Sequence, residues 1–166
     1  RANSVRQAIR NANDGISILA TNETAADTYA NTLDRMRELA VQSSSETLDR
    51  TERAYVEDEF TNHVAELRRL IFATTFNGAN LASGAERTVQ VGADNDSSHQ
   101  ISISGANLKN VQILVASSSV ASATTAQSAI TDIDKATELL NGARANLGSE
   151  MNRLESAIAN ASAEIE

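Results

Sequence analysis

The sequence predicts a mainly α-helical protein, an elongated bundle of long helices in the order helix, helix, β-hairpin, helix. Its long segments repeat apolar or small residues at alternating spacings of three and four, the pattern of a helix with one buried stripe. The 166 residues include no proline, so nothing in the composition forces these helices to kink. One short central region instead alternates with a period of two, which is typical of strands.

Composition and charge exclude several classes of protein. A chain of 17.6 kDa suits a single domain. It has no cysteine, which excludes disulfides, thiolate nucleophiles and thiolate metal sites. The net charge of −8 argues against a nucleic-acid partner, because phosphate binding needs a basic surface. No apolar run approaches the roughly 20 residues of a membrane span. We therefore expect no nucleic-acid partner and no membrane insertion.

The first predicted helix covers residues 4–42, approximately. Its stripe breaks at Glu23 and shifts near its end to Met36 and Ala40. A helix of this length measures about 60 Å, so it needs partner helices to cover its apolar side. Gly15 lies within the stripe, where a small residue permits close packing. The stripe before the break consists of Val5, Ile9, Ala12, Ile16 and Leu19.

A second helix is predicted over residues 50–73. Asp49 followed by Glu52 resembles a capping box, in which each side chain bonds a free backbone N–H at the helix start. The short connection predicts that this helix packs antiparallel to the first. Its apolar stripe comprises Val56, Phe60, Val64, Leu67 and Ile71.

A β-hairpin is predicted over residues 88–103. Turn signals at 77–78 and 83–84 precede two alternating segments, 88–91 and 100–103, which a polar turn joins. Residues 104–119 then form a connector. Within it, the apolar stretch 108–115 is compatible with a further strand or with a packed loop.

The last helix is predicted over residues 124–166. Its stripe runs through nearly six heptads, interrupted by Thr137 and Arg144. We expect it to lie along the first helix, since each has a stripe too long for the second helix to cover. The pattern continues to the last residue, and the first helix begins with almost no lead-in. We therefore expect both ends to continue in a longer protein.

Candidate chemistry is scarce. His63 and His99 belong to different elements, and the acidic run at 94–96 lacks the glycine and glutamate that a calcium loop requires at its sixth and twelfth positions. The carboxylates at 57–59 are successive helical residues, which point in different directions. We predict no catalytic residue, no cofactor and no metal. The residues alone indicate a structural or interaction protein rather than an enzyme.

Five separated motifs resemble bacterial flagellin, and together they cover essentially the whole chain in the family's order. RNANDGIS at 10–17 and RMRELAVQ at 35–42 resemble its N-terminal helix. FNG at 76–78 resembles the turn into its hairpin, and TVQVGA at 88–93 its first hairpin strand. NRLESAIAN at 152–160 resembles the start of its closing helical segment.

The resemblance implies a secreted structural subunit of the bacterial flagellar filament, with other flagellin subunits as partners. In that family the terminal helices form an inner tube, and the region similar to this chain forms the surrounding rod-like domain. The family's terminal segments and its variable outer domains have no counterpart here. The hairpin is the implied contact between stacked subunits, through Thr88, Val89, Gln90, Val91, Ile101 and Ile103.

The resemblance also implies recognition by an immune receptor. Vertebrate Toll-like receptor 5 recognises this helical face in many flagellins, and its epitope corresponds to Arg35, Leu39 and Glu59 here. Arg35 and Leu39 are four residues apart, so we expect them to share a helix face. Asp34 departs from the family, which usually has glutamine at this position.

Two other classes remain open. The hook–filament junction protein of the same superfamily shares the RELAVQ block but usually lacks the FNG turn. A coiled-coil signalling module, such as the cytoplasmic helices of a chemoreceptor, would have long helices but no need of two strands.

Overall fold

The computed structural model describes residues 2–165, in which three long helices lie side by side. The helices are α1 (Ala2–Ser44), α2 (Arg50–Ala73), a short α3 (Leu108–Val115) and α4 (Ala123–Ile165). The strands are β1 (Thr75–Phe76), β2 (Ala79–Asn80), β3 (Glu86–Gln90) and β4 (Gln100–Ser104). This confirms the mainly α fold class with small antiparallel strand pairs. The predicted last residue of α4, Glu166, lies outside the described residues.

Helix α4 lies antiparallel along α1, as the matching stripes predict. An ion pair joins Arg37 Nε to Asp134 Oδ1 at 2.8 Å towards one end. Near the middle, Arg144 reaches Glu23 at 2.7 Å. Further along, a Cβ on Gly15 would lie 3.0 Å from Leu154 Cδ1 and 3.2 Å from Val89 Cγ2. Gly15 therefore permits the close approach of three elements.

Helix α2 packs on the other side of α1 and begins at the predicted capping box. The Asp49 carboxylate accepts bonds from the amides of Thr51 and Glu52, and the Glu52 side chain accepts one from the Asp49 amide. The buried hydroxyl of Tyr29 donates to the carbonyl of Leu67, joining the middles of the two helices. The antiparallel arrangement follows from the short connection between them.

Two small antiparallel hairpins follow α2. In the first, β1 and β2 pair Thr75 with Asn80 and Phe76 with Ala79, so Asn77 and Gly78 form a two-residue turn. Both turn residues have positive φ, 47° and 77°, as the favoured hairpin turn requires.

The second hairpin is the predicted one, and its strands extend slightly beyond the expected 88–103. β3 contacts α1 and β4 contacts α4, so the hairpin lies across the groove between the two long helices. The register places Val89 opposite Ile101 and Arg87 opposite Ile103.

The prediction for residues 108–115 is wrong: they form neither a strand nor a loop but helix α3. The side chain of Asn107 accepts a bond from the Asn110 amide and caps the helix. Leu108, Val111 and Val115 are buried, at spacings of three and four. Five of the eight residues in this run are apolar, and a run this short fits more than one period, so its pattern alone did not reveal a helix.

One continuous hydrophobic core unites the helices and the second hairpin. It receives bulky side chains from α1 (Leu19, Tyr29, Leu33, Met36), α2 (Phe60, Leu67), the hairpin (Ile101, Ile103), α3 (Leu108, Val111) and α4 (Ile133, Leu140, Leu147, Leu154). That these elements act as a single rod-like domain stays a prediction.

Candidate interaction surfaces

The first candidate surface centres on Arg35, which bridges α1 and α2. Its guanidinium donates to Glu59 Oε1 from Nε at 2.9 Å and from Nη2 at 2.6 Å. A further bond joins Nη1 to Glu38 at 2.9 Å. These hydrogen bonds raise the pKa of Arg35 above its usual value, and the bond to Glu59 contributes most. His63, one turn beyond Glu59, lies 3.8 Å from the same carboxylate. The surface is therefore a solvent-facing set of charged side chains on two helices.

Leu39 does not share this surface. Only 1% of the residue is exposed, and it belongs to the hydrophobic core. The expectation that it lies beside Arg35 on an open face is therefore wrong for this chain. The physical reason is that α1 contacts both α2 and α4, which widens its buried stripe to include Leu39 as well as Met36 and Ala40.

The second candidate surface is the β3–β4 hairpin, whose two faces differ. Ile101 and Ile103 are buried, and Val89 and Val91 are half-buried and pack on the same core. All four side chains therefore contribute to the intramolecular core, and their role in contacting another subunit stays a prediction. Residues facing each other across an antiparallel pair share a side of the sheet, which is why Val89 and Ile101 turn inward together.

The outward face of the hairpin is polar. Thr88 and its partner Ser102 are exposed, as is Gln100. Gln90 is half-buried, because its side-chain amide donates to the carbonyls of Gly92 and Asp94 and so closes the turn. Of the six residues predicted as subunit contacts, Thr88 is the one whose side chain is fully presented to solvent.

Side chains from the long helices cover both edges of this hairpin. Asn11 on α1 donates to the Gln90 carbonyl at 3.1 Å. Glu150 on α4 accepts from the Ser104 amide and hydroxyl, each at 2.9 Å. Unpaired strand edges are sites of unwanted pairing, so these two residues protect the hairpin within a single chain. The sequence did not single them out for this role: Asn11 lies in the RNANDGIS block, which indicated only a helix, and Glu150 lies in none of the motifs.

A buried asparagine joins the hairpin to the helices at its other end. Asn22 donates from Nδ2 to the Leu81 carbonyl at 3.0 Å and accepts from the Ala106 amide at 2.8 Å. A Cβ on Gly105 would lie 2.6 Å from this Nδ2, so glycine is required there. In the sequence, the signal for this role was a polar residue at position 22, directly before the apolar stripe breaks at Glu23.

Metal-ligating side chains do not cluster in the described part of the chain. Residues 2–165 contain no group of three or more His, Asp or Glu side chains placed to hold a metal ion. The Asp96 carboxylate accepts from the amide and hydroxyl of Ser98, which lowers its pKa and makes it the cap of a short 3₁₀ turn. Over the same residues, no helix is both long and apolar enough to cross a membrane.

Comparisons with known proteins agree with one family. Residues 1–87 match the family model described as the bacterial flagellin N-terminal helical region. A flagellin of Halalkalibacterium halodurans is 39% identical over 93% of this chain and 57% of its own length. A flagellin of Salmonella paratyphi A is 42% identical over 61% of this chain and 21% of its own length.

The fold comparison extends over the helices and hairpin together. The crystal structure of Bacillus cereus flagellin matches with a TM-score of 0.80 and 26% identity, over 92% of this chain and 88% of that one. The chain spans little more than half of the H. halodurans flagellin and about a fifth of the Salmonella one. The flagellins are structural proteins rather than enzymes. From the family model and the shared fold, this chain is a member of the bacterial flagellin family.

Proposed function

We propose that the chain is part of a secreted subunit of the flagellar filament, which polymerises with other copies. The observation that carries this proposal is the agreement of the entire arrangement, both long helices and the hairpin across them, with a flagellin fold over 92% of the chain.

The hairpin remains the proposed contact between stacked subunits, but through its outward face. Thr88, Gln100 and Ser102 present hydroxyl and amide groups to solvent, and these groups can both donate and accept hydrogen bonds. The inward residues hold that face in position. This arrangement supports a polar contact between subunits, made by the outward face of a rigid hairpin. The apolar residues of β3 and β4 pack in the core instead.

Immunogold electron microscopy of the cells that produce the chain tests this proposal. Antibodies raised against the folded chain should label the flagellum along its full length. Labelling confined to a short zone next to the hook would identify the junction protein instead. Labelling of the cell body without the flagellum would favour the signalling module. Cells from which the gene has been deleted provide the control.

A second candidate function is that of a ligand for vertebrate Toll-like receptor 5. The observation that favours it is the exposed pairing of Arg35 with Glu59 across two helices, which presents two of the three expected residues together. Arginine within such a surface is a common source of binding energy. Leu39 then acts from beneath, by packing in the core that positions α1 against its neighbours.

Binding of the monomeric chain to the receptor ectodomain tests this second proposal. Arg35→Ala and Glu59→Ala should each weaken binding by about tenfold or more without lowering the melting temperature appreciably. Arg69→Ala is the matched control, because Arg69 is an exposed arginine on α2 whose one ion pair among the described residues is with Glu66 on its own helix. Equal losses in all three variants, or no binding by the parent chain, would contradict the proposal.

A further inference from the structure

The chain contains two Asn-Gly sequences, which the fold places in opposite environments. Asn77-Gly78 forms the two-residue turn between β1 and β2. Asn141-Gly142 lies inside α4. Asn77 and Gly78 are exposed, and so are Asn141 and Gly142. Solvent access therefore does not distinguish the two pairs, whereas backbone conformation does.

The turn leaves the reactive groups of Asn77 and Gly78 unengaged. Among the described residues, the Asn77 side chain makes no hydrogen bond, and the Gly78 amide donates to no backbone oxygen. A Cβ built on Gly78 meets no atom within 4 Å, and the same is true of Gly142, so the space beside the glycine does not distinguish the two pairs. Both residues have positive φ, and such turn backbone is not restrained by a helical ladder.

The helical pair is restrained. In α4 each interior amide donates to the carbonyl four residues earlier, and Gly142 lies well inside Ala123–Ile165. Its amide nitrogen must first leave that bond, and the backbone must depart from helical angles, before it can approach its neighbour's side chain. Such an opening costs free energy that is larger for the interior of a packed helix than for a surface turn.

We propose that Asn77 is a site of spontaneous, non-enzymatic deamidation, and that Asn141 is protected. The Gly78 amide nitrogen loses its proton to solvent base and attacks Cγ of Asn77, and the side-chain nitrogen leaves as ammonia. A five-membered succinimide results. Water then adds to one of its two carbonyls, and the C–N bond to that carbonyl breaks. The products are aspartate and isoaspartate, with one water consumed and one ammonia released for each conversion.

The modification alters the exit from α2. Either product adds a negative charge at the tip of the turn. Isoaspartate also adds a methylene to the main chain, and a two-residue loop fixes the register of its strands. Asn80 Nδ2 donates to the Ile71 carbonyl at 2.6 Å, and the Leu81 amide donates to the Thr74 carbonyl at 2.9 Å. Isoaspartate at 77 is therefore expected to loosen these two bonds, which fasten the turn to the end of the helix.

Ageing of the purified whole chain at mildly alkaline pH tests the proposal. Peptide mass spectrometry should find deamidation at Asn77 at least about tenfold faster than at Asn141, because the helical site must first open. Labelling by isoaspartyl methyltransferase should appear in parallel. Asn77→Gln should abolish most of this labelling, whereas the matched control Asn141→Gln should leave it unchanged.

The same chain aged in denaturant separates structure from sequence. Both Asn-Gly pairs should then react at similar rates, because neither keeps its folded backbone. If Asn141 reacts as fast as Asn77 in the folded chain, the assigned protection is wrong. If Asn77 stays intact in the folded chain while both sites react in the denatured one, the turn shields it and the proposal is overturned.

Discussion

At the scale of single residues, two breaks in the apolar stripes, at Glu23 and Arg144, correspond to partners in space. Glu23 interrupts the stripe of α1 and Arg144 that of α4, and the two side chains pair at 2.7 Å. The hydrogen bond that Arg144 donates to Glu23 is the main cause that raises the pKa of Arg144. Two residues that look like separate irregularities along the sequence thus form one contact, which favours one alignment of the long helices over shifted alternatives.

Tyr29 makes a buried polar contact between α1 and α2, since its hydroxyl donates to the Leu67 carbonyl. We predict that Tyr29→Phe lowers the free energy of unfolding by about 1 kcal/mol, the net value of a typical buried hydrogen bond. Tyr55→Phe is the matched control, because Tyr55 is 70% exposed. Chemical denaturation of both variants gives the comparison, and equal effects would show that the Tyr29 bond contributes nothing.

The same burial makes stability sensitive to alkaline pH. Desolvation raises the pKa of Tyr29 above its usual value, so its protonated form is favoured in the folded state. The resulting stabilisation is complete below the tyrosine pKa of the unfolded chain, about 10, and is lost as pH rises above it. In a spectrophotometric titration of the Tyr55→Phe variant, whose one tyrosine is Tyr29, ionisation should occur only as the protein unfolds. Ionisation of Tyr29 at a pH below the unfolding transition would contradict this.

At the scale of elements, the length of a periodic segment decided how well it could be predicted. The long helices were predictable because a stripe repeated over many turns averages out isolated exceptions. The eight residues of α3 were not, since an apolar run this short fits several structures. The second hairpin was also predictable from its two alternating segments, but which of its faces would be covered was not, because that depends on the position of α1 and α4.

The buried interface between α1 and α4, here called the seam, should contribute much of the free energy of unfolding. Leu147 and Leu154 are fully buried in it. We predict that Leu147→Ala and Leu154→Ala each cost about 2–5 kcal/mol, from lost burial and the cavity left behind. Leu139→Ala on the same helix is the control, since Leu139 is 45% exposed and should cost far less. Thermal unfolding of the three variants measures this, and three similar costs would mean that the seam is not the main source of stability.

At the scale of the whole molecule, the placement of α1 between α2 and α4 determines which residues reach the surface. It buries Leu39 and leaves Arg35 paired at the boundary with α2. It also provides the groove that the hairpin covers. The most exposed large apolar side chains among the described residues, Tyr55 and Phe72, both lie on α2 and are about 70% exposed. The apolar stripes of the long helices are otherwise turned towards one another.

We therefore predict that this chain by itself is a monomer in solution. Its long stripes are satisfied internally, and the hairpin edges are covered by Asn11 and Glu150, so neither drives association. Light scattering after gel filtration should give a mass near 17.6 kDa over a wide concentration range. Ordered filaments of the chain alone, seen by electron microscopy in high salt, would show that the surfaces described are sufficient for assembly.

By itself, the sequence determined the order and type of the long elements, the capping box at Asp49 and the family. These follow from periodicity and from motifs, which are local properties of the chain. Only the tertiary structure decided that Leu39, Ile101 and Ile103 are internal, that residues 108–115 form a helix, and that Asn22 joins the hairpin to the bundle. Each depends on what a second or third element covers. A periodic pattern shows which side chains lie on the apolar side of an element. How far each of them is buried depends on the number of elements packed around it.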